Sequence, residues 1–81
     1  MDFELTKHAL DMLKERNISE EWVWQTLDNP DRKNVGVDNN IHYLKSITEY
    51  DGRMLHVIVS PHVSPKKVIT IFFDRKAGRQ K

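Results

Sequence analysis

Four histidines and a group of arginines are the side chains here with acid–base and phosphate chemistry to offer: His8, His42, His56 and His62, with Arg16, Arg53 and Arg75 among the cations. Imidazole exchanges protons near neutral pH, its reference pKa being about 6.5. A guanidinium presents several fixed N–H donors that match phosphate oxygens. Metal-independent RNA cleavage needs these groups: a base for the 2′-hydroxyl, an acid for the leaving oxygen, and cations facing a phosphorane-like transition state. Other chemistries lack their residues. There is no cysteine, hence no disulfide and no thiolate metal site. The histidines lack the close paired spacing of a strong metal motif, and no glycine-rich phosphate loop or serine elbow is present. No metal and no cofactor are expected.

The helix signals say how the first of these residues is positioned. Thr6 predicts an N-cap, and Ala9, Leu10, Met12 and Leu13 supply an apolar face for a helix from about Lys7 to Arg16. His8, Met12 and Arg16 fall at four-residue steps, a stripe drifting roughly 40° per step along the border of that face. Asn17 suits the left-handed residue that ends a helix, and Ser19 caps a second helix from about Glu20 to Leu27. Asp28-Asn29-Pro30 stops it.

From Lys33 onward the pattern is that of strands. Val35-Gly36-Val37 is a short candidate, and Ile41 to Tyr50 a long one rich in Ile, Tyr and Thr. Asp51-Gly52 predicts a two-residue hairpin turn. Arg53 to Ser60 follows, with Leu55, Val57 and Val59 on one face and Met54, His56 and Ile58 on the other. Ser60 to Lys67 reads as a loop, and Val68 to Asp74 as a last, central strand. The expected fold is α+β: an N-terminal two-helix hairpin on one face of a three- to four-stranded antiparallel sheet, one domain over residues 1–74. Residues 75–81 read as a basic tail. The second sheet face stays partly open, with His56 on it beside Thr70 or Phe72. Tyr43 and Lys45 share a face of the preceding strand, where they would add a stacking platform and a phosphate contact.

Charge supports a phosphate partner. Residues 1–30 carry a net −4 and residues 31–81 a net +5, giving the overall +1, so an acidic helical half meets a basic half. The acidic start, Met1-Asp2-Phe3-Glu4, has no apolar run, so neither a signal peptide nor a membrane span is expected, and the lack of cysteine fits the cytoplasm.

Three motifs in order carry a family resemblance: Thr6-Lys7-His8-Ala9 followed by Lys14-Glu15-Arg16-Asn17-Ile18-Ser19; the strand Arg53-Met54-Leu55-His56-Val57-Ile58-Val59; and the ending Val68-Ile69-Thr70-Ile71-Phe72-Phe73-Asp74-Arg75-Lys76. Over nearly its whole length the chain resembles the domain-of-unknown-function family numbered 4258, small proteins compared with the barnase–EndoU–colicin–RelE group of metal-independent ribonucleases. The resemblance implies a four-stranded antiparallel sheet after one or two helices, a toxin role and a small antitoxin partner. It places family positions on His8, Arg16, Arg53, Thr70 and Arg75. One departure stands out: members commonly carry arginine four residues after the motif histidine, and here that residue is Met12.

Two functions follow as expectations. The first is a ribonuclease-like toxin with His8 and His56 in acid–base roles and Arg16, Arg53 and Arg75 on phosphate, with Thr70, Tyr43 and Lys45 as further substrate contacts. The second is a non-catalytic RNA- or protein-binding module of the same fold, which the loss of arginine at position 12 favours. Each residue also has an ordinary role open to it: His8 bonded to Asp11 or Glu15, Arg16 on helix-end carbonyls, Arg53 and Arg75 as solvated strand-end charges.

Overall fold

Helix α1 (Lys7–Arg16) starts and stops where the capping residues require. In the computed structural model, which describes residues 3–74, Thr6 Oγ1 accepts from the Ala9 amide at 3.1 Å and donates to the Val68 carbonyl at 2.9 Å. One side chain thus caps the helix and ties it to a distant strand. Asn17 closes α1 at φ 52°, ψ 44°, its amide reaching the Leu13 and Lys14 carbonyls. Helix α2 (Glu20–Asp28) begins at Ser19, whose hydroxyl makes no cap bond; Glu20 and Glu21 face the positive helix end instead.

The strands are β1 (Phe3–Leu5), β2 (Arg32–Val35), β3 (Ile41–Ile47), β4 (Arg53–Ser60) and β5 (Lys66–Phe73). They form one five-stranded mixed sheet in the order β1-β5-β4-β3-β2. This corrects the expected three- to four-stranded antiparallel sheet, and the helical hairpin follows a strand rather than opening the fold. β1 pairs parallel with β5, Phe3 opposite Lys66 and Leu5 opposite Val68, and Lys67 forms an ion pair with Glu4. Three residues are too few for a period-2 pattern to register, and their partner lies at the far end of the chain. β5 is therefore central only along its first half; beyond Val68 it is the edge of the sheet.

Both helices cover one sheet face, α1 over β5 and α2 over β3 and β4. Ala9, Leu13, Ile18, Val23 and Leu27 pack there on Tyr43, Ile47, Leu55, Val57, Val59, Val68 and Ile71. The opposite face carries His42, Leu44, Met54, His56, Ile58 and Phe72 and, among the described residues, has no helix over it.

The β3–β4 connection sets which residues face which way. Asp51 and Gly52 take the positive φ values (57° and 68°) that such a turn demands. However, Thr48–Tyr50 coil into a 3-10 turn, so the connection has five residues and Ile47 pairs with Arg53. Aromatic packing holds that turn: Tyr50 lies 4.7 Å from Phe73 and 5.7 Å from Trp22 between ring centroids. A two-residue turn would have paired Tyr50 with Arg53. The three coiled residues shift the register by an odd number, which turns Tyr43 and Lys45 toward the helices and His42 toward the open face. Tyr43 is 3 % exposed, so it offers no stacking platform. Among the described residues, no helix is long and apolar enough to cross a membrane.

Candidate functional site

Arg16, at the end of α1, donates through Nη1 to the Ile71 carbonyl at 3.0 Å. That carbonyl belongs to the edge half of β5, so the arginine supplies a bond that no neighbouring strand provides. Arg53, at the start of β4, lies over the Tyr50 ring, 5.0 Å from guanidinium carbon to centroid. The two converge on one open depression of about 470 Å³, lined by Met12, Arg16, Arg53, Thr70, Phe72 and Phe73. The Thr70 hydroxyl donates to Met12 Sδ at 3.1 Å. Among the described residues neither arginine is paired with a carboxylate. Two such cations beside aromatic rings have the chemistry to hold a phosphate that carries a base.

Three of the residues singled out in the sequence, Arg16, Arg53 and Thr70, thus come together, and Met12 stands among them. His8 lies on the same stripe of α1, one turn before Met12, but it is exposed and lines no part of the depression. Its ring makes no hydrogen bond among the described residues, so the bonds to Asp11 or Glu15 do not form. Lys45 pairs with Leu55 on the helix-covered face, away from this site. Arg75 and the 75–81 stretch lie outside the described residues.

A second constellation lies on the open face. His56 sits opposite Phe72, and their rings stack with centroids 4.7 Å apart and planes at 28°. His56 Nδ1 is 3.0 Å from Asp74 Oδ2, and its Nε2 is 2.8 Å from His42 Nδ1. His42 Nε2 lies 3.4 Å from Asp38 Oδ1. A chain Asp74–His56–His42–Asp38 therefore runs from the end of β5 across the middle of β4 and the start of β3 to the turn before it, and its exposure rises from 13 % at the His56 side chain to 46 % at Asp38. Asp38 is fixed by its own turn: the Asn40 amide donates to Oδ1 at 3.0 Å and the Asn40 side chain to Oδ2 at 3.2 Å. That amide bond, assisted by His42 and opposed by partial desolvation, holds the Asp38 carboxyl below its ordinary value of 3.8. Gly36 makes the room, since a Cβ there would lie 2.5 Å from His42 Nε2 and 2.8 Å from Asp38 Oδ1.

His42, Asp38 and Asp74 escaped the sequence reading as site residues. The signal for them was parity along β3, where Ile41 and Ile47 bracket Tyr43 on one face and leave His42, Leu44 and Ser46 for the other. Among the described residues, no three of His, Asp and Glu converge as metal ligands would.

The model of the family described as "Domain of unknown function (DUF4258)" matches residues 5–73. The chain belongs to this family. The match runs from the end of β1 to the last residue of β5, so it takes in the depression and both histidines of the chain of contacts. No curated protein and no solved structure gives a significant match.

Proposed function

We propose that this DUF4258 protein is a small cytoplasmic ribonuclease-like toxin that binds RNA at the Arg16–Arg53–Thr70 depression and cleaves it without metal. One observation carries the reading: two arginines 37 positions apart in the sequence meet, without carboxylate partners among the described residues, in one depression with Thr70 and Phe72. Arg16 and Arg53 hold the phosphate, and Phe72 offers a ring edge to the adjoining base. His56, stacked on the other side of Phe72, brings acid–base chemistry next to this site. A small antitoxin-type protein is the partner this reading implies.

Met12 favours a second reading, a non-catalytic RNA-binding module. It is buried to 9 % exposure inside the depression, with its sulfur against Thr70, where the family resemblance leads one to expect a cation.

Incubating the protein with total RNA in EDTA separates the two, beside Arg53→Ala and His56→Ala variants. Cleavage that persists in EDTA and is lost in the variants supports the ribonuclease. Binding without cleavage in every form supports the module, and absence of binding overturns both.

A further inference from the structure

Both ring nitrogens of His56 are engaged inside the protein, Nδ1 with Asp74 and Nε2 with His42. It cannot pass a proton to a ligand without breaking one of those bonds. Proton placement then follows link by link. A carboxylate only accepts, so Asp74 fixes the His56 proton on Nδ1. His56 Nε2 is thereby an acceptor, which draws the His42 proton onto Nδ1 and leaves His42 Nε2 as the one nitrogen of the four whose protonation can change with the chain intact. When Nε2 is protonated, it has an acceptor waiting in Asp38 at 3.4 Å, the longest and most exposed contact of the series. The three contacts need three N–H groups and two neutral rings supply two, so the fully bonded chain holds one added proton.

We propose that His42 Nε2 is the proton-exchange atom of this protein, with Asp74 and His56 as positioning residues behind it and Asp38 as the acceptor that hydrogen-bonds the proton once Nε2 has taken it up. The reading deepens the proposed ribonuclease function and rests on it for the substrate, an RNA phosphodiester. Sheet register puts His42, Ile58 and Thr70 in one row, so His42 stands two strand spacings, about 10 Å, from the depression. An RNA strand held at Arg16 and Arg53 and laid along this row brings a neighbouring ribose to His42. There Nε2 takes the 2′-hydroxyl proton as the 2′-oxygen bonds to phosphorus. The bond from phosphorus to the 5′-oxygen breaks, and the proton returns through solvent to that leaving oxygen. Among the described residues, the register also places a charged group, Arg32, on this face near the pair, opposite Leu44; Asn34, opposite His42, is neutral.

The test joins ring spectroscopy to kinetics on the full chain. Two-bond 1H–15N spectra of the imidazoles should show His56 in the Nδ1–H form throughout, with one proton entering the pair at His42 Nε2 as pH falls. His56 protonated on Nε2, or two rings titrating independently, overturns the proposal. His42→Gln should lower the rate of RNA cleavage in EDTA by about 100-fold or more, the scale of general acid–base catalysis, while RNA binding is retained. Asp38→Asn should lower activity less than His42→Gln does and move its pH profile. A His42→Gln protein that is folded, binds RNA and cleaves at the wild-type rate also overturns the proposal. An inert wild type removes the RNA reading alone, and the ring spectra still decide for or against His42.

Discussion

The Arg16 guanidinium bonds the Ile71 carbonyl at 3.0 Å, fastening the end of α1 to the unpaired half of β5. This one side chain therefore has a structural duty and, in the proposed function, also holds RNA phosphate through its remaining N–H groups. Arg16→Ala should lower stability by about 0.5–1.5 kcal/mol, the net worth of one hydrogen bond, and should weaken RNA binding as well. Urea denaturation and binding titrations on the same variant measure the two effects separately.

Arg53 is exposed and, among the described residues, its side chain lies over the Tyr50 ring without an ion pair, so its removal should act mainly on binding. For Arg53→Ala, the slope of log affinity against log salt should fall by about 0.7, one phosphate contact on a single strand. The unfolding midpoint should stay within roughly 0.5 kcal/mol of wild type, as for most surface changes. An unchanged salt slope would remove Arg53 from the phosphate site.

Met12→Arg should raise RNA affinity and increase the salt slope by about 0.7. The stem of the new side chain can follow the path of Met12 while its head reaches the open depression. If cleavage in EDTA appears only with this variant, the natural protein is the binding module.

Gly36→Ala places a methyl group 2.5 Å from His42 Nε2 and 2.8 Å from Asp38 Oδ1. The backbone there is not left-handed, so any effect comes from that crowding. The His42–Asp38 contact should open while the His42–His56 contact remains, a change visible in the histidine ring spectra. Activity should resemble that of Asp38→Asn.

Tyr43 supplies a pH prediction with a definite sign. Burial raises its phenol above the ordinary value of 10.0. In the unfolded chain the phenol ionises from about 10 upward, whereas in the folded chain it stays protonated longer. Folded stability should therefore fall as pH rises through 10, and Tyr43→Phe should flatten that alkaline limb in thermal melts.

The helices were legible because their ends are chemical: Thr6 and Asn17 are each identified by a local bond or a tolerated backbone angle. Arg16, Arg53 and Thr70 were legible as phosphate-site candidates, and the fold does bring them together. The facing of β3 was not, because it depends on how many residues the β3–β4 connection holds. Asp51-Gly52 signalled a tight turn, but Thr48–Tyr50 coil before it, and their stability comes from Trp22 and Phe73, remote in sequence. That odd shift hid His42 and promoted Tyr43. β1 was hidden for a related reason, since a three-residue strand exists only through its partner.

The pairing of β1 with β5 also bears on how the chain is made. Thr6 and Val68, 62 residues apart, are joined by two hydrogen bonds, so the first strand to be synthesised has no partner until the last one exists. Until then Phe3, Leu5 and the β5-facing edge of β4 remain uncovered on a nascent chain, in a topology whose long loop closure slows folding. A cell that produces this protein must carry synthesis through β5 before the sheet can be finished, and synthesis interrupted before that strand leaves a sticky fragment rather than a smaller working domain.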